Sequence, residues 1–447
     1  MKVILCIYEL LNGVGGAERS LIDLANELSS RGHEILILNN QFVDNGNQKH
    51  FYPIRKDVKI ISFHQKSQTK VIENKTIKKT YPNSLSIDHL HGRLSNWIGK
   101  KAINHFLNKA FNYLFYCAKI EKEILEEQNL NPNNQITEWL NRNEQEISLW
   151  REQFSSNKAQ VVISFMVRTY TYVSQAMVGL NIPHIIVNRT DPSKSPHYYN
   201  EEIFKKLIYY AVEKSFCNVV LHESYIGYFD QKHQTKTRVI PNPIAKPNKF
   251  EQAYFDKTEK VILNVGRLIQ SKNHELLIRA FHLIHHKYPN WRVKIYGIDV
   301  SYKEHLIHLV ETLGLVNKVE FFEPVMNIEK VYQTSDIFAF PSLYEGFPRA
   351  LGEAISHCLP CLVIEDCTVN KELVKNGNFG LVAKNTAEDY AEKLENLMSN
   401  ENLREQLGFN CIDFAKLYSP VKVYDKWEDL LKMTTTSKNH FFTQHSK

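Results

Sequence analysis

Two stretches of the sequence place charged side chains where an anionic ligand could be held. In NVGRLIQSKNHELLIRAF an apolar run ends at Gly266, Arg267 follows it, and Lys272 stands just ahead of an amphipathic helix. Cations so placed suit a diphosphate, because a charge-assisted hydrogen bond contributes about 1.5 to 3 kcal/mol and a guanidinium can bind two oxygens. In PSLYEGFPRALGEAIS two carboxylates, Glu345 and Glu353, are separated by seven residues. Pro348 fits the first helical position, which puts Glu345 in the loop before the helix and Glu353 on its second turn. Both can then line one cleft, and the helix start adds free N–H groups and a positive end for phosphate. Taken alone, Arg267 and Lys272 suit a solvated loop equally well. Glu353 in LGEAIS lies among apolar neighbours, where an unpaired carboxylate is costly, so a surface role fits it less well.

These residues need rigid elements to position them. With 447 residues, 43% of them hydrophobic and 23% charged, the chain suits two folded domains, since single cores rarely grow past about 250 residues. The start reads as one βαβ unit: KVILCIYEL, a turn with Gly13, Gly15 and Gly16, a helix with Leu21, Leu24, Ala25 and Leu28 on one face, then HEILILNN. VKIISF, AQVVISFM, IPHIIVNR, CNVVLHES and TRVIPNPI continue the pattern, interrupted between about 66 and 160 by a helical insertion. Residues 241 to 257 have linker composition. KVILNVGRL, WRVKIYG, KVEFFEP, DIFAFPS and PCLVIE then supply five strands of a second parallel sheet. The expected division is residues 1–245 with the insertion, 258–419, a C-terminal helix over 420–433, and a flexible polar tail over 434–447.

Composition narrows the setting. No window reaches the roughly 18 apolar residues that span a bilayer, and Met1 runs straight into a strand without a signal peptide, so a cytosolic location is expected. The seven cysteines are odd in number and scattered, which argues for reduced thiols. Cys358 and Cys361 form C-x-x-C beside His357 and near Cys367, yet no second ligand pair lies at zinc-site spacing, and HCLPCLVIEDC reads as a helix end, a Pro turn and a buried strand. Net charge is +6, and the stretch from Lys66 to Lys119 holds ten Lys and Arg against only Glu73 and Asp88. Its mix of Trp97, Phe106, Phe111 and Phe115 with lysines has the make-up of an interfacial helix for an anionic membrane surface; an extra helical pair packed on the first domain is the alternative. Nucleic acid is not expected as a partner, since no recognition motif is interleaved there.

The pieces GVGGAERSLIDLANEL, VIPNPI, NVGRLIQSKNHELLIRAF, the IYG loop and SLYEGFPRALGEAISHCLPCLV together resemble the group 1 (family 4) retaining glycosyltransferases over most of the chain. IIVNRTDPSKSP further resembles the subset that builds surface polysaccharides and polyprenol-linked glycans. The resemblance implies an α/β GT-B fold, two Rossmann-like doubly wound parallel sheets facing across a cleft, with the C-terminal helix returning to the first domain and hinge closure between the two. It implies transfer of a sugar from a nucleotide diphosphate donor, UDP by family preference, to a glycan or polyprenol-linked glycan, with no metal or cofactor. Arg267, Lys272 and Glu345 would be the catalytic set. Gly15, Gly16, Arg189, Gly266, Gly297, Gly346, Phe347 and Glu353 would contact the donor, with Glu353 on the ribose hydroxyls.

Two departures from the family pattern matter. Many members carry a histidine where Arg189 stands, and a guanidinium does not act as a base. Asp191 beside it reads either as an acceptor-binding carboxylate or as a turn cap. After the IYG loop the chain has Gly297-Ile298-Asp299 and lacks a second glycine, which leaves the base-binding loop without a named contact. An NAD-dependent reading fails because G-V-G-G-A-E lacks the third glycine of G-x-G-x-x-G and the second strand ends in Asn39-Asn40. A non-catalytic GT-B scaffold or nucleotide-sugar-binding subunit is the remaining alternative.

Overall fold

A computed structural model describes residues 1–8, 10, 15–40, 52–63, 134–193, 202–245, 258–325, 327–374, 378–410 and 414–444. The first sheet is built from β1 (Lys2–Ile7), β2 (Glu34–Asn39), β3 (Lys59–Ser62), β4 (Val161–Phe165), β5 (His184–Val187), β6 (Cys217–Val220) and β7 (Thr237–Val239), in the order β3-β2-β1-β4-β5-β6-β7. The second comprises β8 (Lys260–Val265), β9 (Trp291–Tyr296), β10 (Val319–Phe322), β11 (Ile337–Phe340), β12 (Cys361–Ile364) and β13 (Gly380–Ala383), ordered β10-β9-β8-β11-β12-β13. Every neighbouring pair is parallel. Helices cover both faces, which is why the central strands are continuous runs of Val, Ile and Leu rather than alternating ones.

The helices that bear on the site are α1 (Gly16–Ser30), α2 (Asn134–Ser156), α3 (Val167–Ala176), α4 (Glu202–Lys214), α5 (His274–Ile284), α6 (Arg349–Ser356) and α7 (Pro420–Gln444). On α1 the buried face includes Leu21, Leu24, Ala25 and Leu28, as its 3.6-residue periodicity requires. In α2, Trp150 and Phe154 are fully buried and join Ile4, Cys6 and Leu38 in the first domain's core. The return of α7 is visible in Val423, Tyr424, Trp427, Leu430 and Leu431, which pack with residues of β1 and α1.

Three expectations need adjustment. Strand β13 was not anticipated, because GLVA is too short for its pattern to stand out. Pro348 is the residue that caps α6, and the helix itself starts at Arg349. The boundary expected at residue 433 falls inside α7, which runs to Gln444. The basic stretch from Lys66 to Lys119, with the membrane contact expected of it, lies outside the described residues, as do Cys117 and Cys411. Cys6, Cys217, Cys358, Cys361 and Cys367 are free, buried thiols. Among the described residues no helix is long and apolar enough to cross a membrane.

Candidate functional site

In an open parallel sheet the ligand crevice lies at the carboxyl ends of the strands where their order reverses, since the loops leaving those strands diverge to opposite faces. The reversal falls between β1 and β4 in the first sheet and between β8 and β11 in the second. Gly15 and Gly16 follow β1, Met166 follows β4, Gly266 to Lys272 follow β8, and Ser342 to Phe347 follow β11.

In the second domain the Lys272 stem lies over Gly266, with its nearest atom 3.6 Å from where a Cβ on that glycine would stand. Its ammonium sits 5.5 Å from the centre of the Phe340 ring and in direct contact with the Glu345 carboxylate. Arg267 is exposed at the mouth of the same loop and forms no ion pair with Glu345 or Glu353. Glu353, on the second turn of α6, accepts from the Tyr332 hydroxyl at 3.1 Å and from Arg19 of α1 at 2.9 Å. Of the four charged residues singled out in the sequence, Lys272 and Glu345 are therefore brought together, Arg267 stands at the rim, and Glu353 is engaged from the opposite domain.

The loop between β11 and α6 is clamped onto the first domain. The Tyr225 hydroxyl, in the turn Glu223–Tyr228, donates to the Glu345 carbonyl, and the Asn242 amide donates to the Phe347 carbonyl at 3.1 Å. A trans peptide holds its N–H opposite its C=O, so anchoring the Glu345 carbonyl turns the Gly346 N–H away from Tyr225. Gly346 lies so close to the Arg189 backbone that a Cβ would fall 2.1 Å from the Arg189 carbonyl oxygen. The Phe347 ring is buried, 5.2 Å from the Tyr418 ring, which leaves its backbone as the part near the cleft. Gly297, at the end of β9, packs under the β8 loop, where a Cβ would stand 1.8 Å from the Gly266 carbonyl oxygen.

In the first domain Arg189 is a strut beneath the start of α1. One terminal nitrogen donates to the Ser20 hydroxyl at 2.5 Å and the Asn242 side-chain carbonyl at 2.6 Å, and lies 3.5 Å from the Gly16 carbonyl. Its Nε is buried without a partner in the structure. Burial, with Arg349 beside it, lowers the guanidinium to about 9, despite Glu18 and Asp23 nearby. A ladder of buried side chains, Tyr170 to Asn188 to Asn218 to Thr237, holds the residue just before it in place. Asp191 caps its own turn, accepting from the Ser193 amide at 2.8 Å and hydroxyl at 2.7 Å.

Beyond β1 and β4 the rim is aromatic and charged. The Arg168 guanidinium lies 3.5 Å from the centre of the Tyr8 ring, and the Tyr8 hydroxyl donates to Glu146 of α2 at 3.1 Å. Burial raises the Glu146 carboxyl above its usual range. Met166 launches α3 from φ 74° and ψ 148°, a conformation costly for a residue with a side chain and concentrated at binding sites.

Sequence reasoning missed Arg19, Tyr225, Asn242 and Tyr332. Arg19 and Asn242 lie inside GVGGAERS and VIPNPI, two of the pieces that carry the family resemblance, but neither had a role. Tyr225 and Tyr332 have no local signal, because their partners are far away in the chain.

Residues 245–412 match the family described as glycosyl transferases group 1. Over 301 residues, 65% of this chain and 78% of the relative, the sequence is 27% identical to a Campylobacter jejuni protein named as an alpha-1,4-N-acetyl-D-galactosaminyltransferase acting on an undecaprenol-diphosphate-linked glycan. It is also 27% identical to an uncharacterized glycosyltransferase of Haemophilus influenzae, over 57% of this chain and 71% of the relative. Among solved structures, sucrose-phosphate synthase from Thermosynechococcus elongatus superposes with a TM-score of 0.69 at 13% identity, covering 98% of this chain and 99% of that one. HepE from Anabaena, in complex with UDP and glucose, gives a TM-score of 0.64 at 16% identity, over 97% and 99% of the two chains. The whole-chain likeness to solved glycosyltransferase structures identifies the two sheets as the GT-B fold, and the second of its domains carries the match to the group 1 glycosyl transferases.

Proposed function

We propose that the protein is a retaining, metal-independent glycosyltransferase that moves a sugar from a UDP-sugar to a glycan or polyprenol-linked glycan in polysaccharide or glycoconjugate biosynthesis. The observation that carries this reading is the contact of Lys272 with Glu345 at the switch point of the second sheet, where a cation and an acid meet beside the start of α6. The UDP preference is supported by the UDP bound to HepE. The acceptor class is supported by the name of the Campylobacter relative.

The chemistry follows from charge. When the bond from sugar to diphosphate breaks, negative charge grows on the departing phosphate, and fixed cations in a dry cleft stabilise it without reorganising. Lys272 and Arg267, with the N-terminus of α6, serve that purpose. Glu345 and the Gly346 and Phe347 amides hold the transferred sugar, and Glu353 accepts from the ribose hydroxyls. The departing phosphate takes the acceptor's proton on the face it leaves, so the product keeps the donor's anomeric configuration and no separate base is needed. Gly15 and Gly16 close over the donor from the first domain, with Arg189 bracing the start of α1 behind them. The acceptor enters at the end of the first sheet beside Asp191, on a face that Arg168 and Tyr8 border.

The test incubates the purified protein with UDP-sugars and a polyprenol-diphosphate glycan, with and without a chelator. Transfer that survives chelation, with the anomeric proton coupling of the product matching that of the donor, is the expected result. Inverted product, or chelator-sensitive activity, would overturn the corresponding part of the reading. No hydrolysis or transfer from any nucleotide sugar would favour a non-catalytic scaffold.

A further inference from the structure

The carboxylate assigned above to the donor ribose is already held from across the cleft. Arg19 Nη1 lies 2.9 Å from Glu353 Oε1, and the Tyr332 hydroxyl bonds Oε2 at 3.1 Å. Each carboxylate oxygen can accept more than one hydrogen bond, so both anchors leave room for a diol. Arg19 is itself braced: its Nε is 3.9 Å from Asp23, whose other neighbour is Arg349 of α6 at 2.9 Å. The Tyr52 ring, 5.9 Å away, flanks the guanidinium. Glu353 and Arg19 are both largely enclosed, with side chains 16% and 34% exposed, so the pair is shielded from the screening that weakens surface ion pairs.

We propose that Arg19 is a positioning residue for donor recognition: reaching from the first domain, it fixes the Glu353 carboxylate in the orientation that receives the ribose hydroxyls. This rests on the reading of Glu353 as the ribose acceptor. Its consequence is that nucleotide affinity, although housed in the second domain, depends on the first. With Tyr332 alone, Glu353 can turn about its own side-chain torsions. With both anchors its two oxygens are fixed, and the ribose meets a carboxylate that has already lost that freedom.

The experiment measures binding of UDP and of 2′,3′-dideoxy-UDP to the full-length wild type, Arg19→Met, Arg19→Lys and Glu353→Gln by calorimetry, with GDP and its dideoxy analogue as the pair if UDP does not bind. Arg19→Met should weaken the ribonucleotide about tenfold, the loss of one charge-assisted contact, and leave the dideoxy analogue within about twofold of wild type. Arg19→Lys should recover part of the loss, and Arg19→Met in the Glu353→Gln background should add nothing. Equal weakening of both ligands would show a general effect on domain contact and overturn the proposal, as would no weakening at all. If the wild type binds both ligands of a pair equally, the ribose assignment of Glu353 fails first and the proposal with it. If neither UDP nor GDP binds, the donor reading itself is overturned. Thermal melting of each variant confirms that it is folded.

Discussion

At the scale of single residues the site is a set of charges whose partners are unevenly distributed. Lys272 has Glu345 against it and a phenylalanine face beneath, so its ammonium is pointed rather than free to roam. If it stabilises the departing diphosphate, Lys272→Ala should lower turnover by about 10²-fold or more, the range for losing one such donor, with a far smaller change in melting temperature. Near-normal kinetics on a verified donor would remove it from the mechanism. The types and spacing of Arg267, Lys272, Glu345 and Glu353 were legible from local sequence, because strand-end and helix-start positions are set by neighbours in the chain. That Glu353 would meet Arg19, and that Tyr225 and Asn242 would grip the loop around Gly346, was not legible. Those contacts join residues more than a hundred positions apart, and only the docking of two sheets brings them together.

At the scale of elements the strands were readable and some of their ends were not. Buried parallel strands announce themselves as unbroken Val, Ile and Leu runs, so twelve of the thirteen described strands were expected and only Gly380–Ala383 was missed. Gly297 shows a constraint that only packing exposes. The sequence suggested a donor contact, whereas the structure has two backbones crossing with no space for a methyl group. Gly297→Ala should therefore destabilise the second domain by about 1 to 3 kcal/mol through forced backbone shifts, measurable by urea denaturation. Two histidines give the elements a pH response. His184 in β5 is lowered to about 3 by burial, and His274 at the start of α5 to about 3 by burial and by Lys272. Both would titrate near 6.5 once unfolded, so between those values the unfolded chain binds more protons. Stability should be complete above pH 6.5 and fall as the pH drops toward 3. His184→Gln should make that fall shallower when denaturation midpoints are compared at pH 7.5 and 5.

At the scale of the whole molecule the two sheets are joined by more than a linker. Arg19 with Glu353, Arg349 with Asp23, and Asn242 with the Phe347 carbonyl all cross between them, while α7 carries the chain back to where it began. Trp427 is 5% exposed and packs in the core of the first domain. Trp427→Ala should cost about 3 to 5 kcal/mol, seen as a lower melting temperature, and the loss should appear in probes of the first domain.

The path of α7 has a consequence for how the molecule is made. Arg31 pairs with Asp425 at 2.8 Å and His33 with Glu428 at 3.0 Å, and the apolar side of α7 completes a core begun by the first strand. During synthesis that core lacks its last wall until residues 423–431 have been translated. The amino-terminal half must therefore wait, with apolar surface uncovered, while the later half is translated. This is the interval in which a nascent chain is most open to misassembly and to chaperone capture.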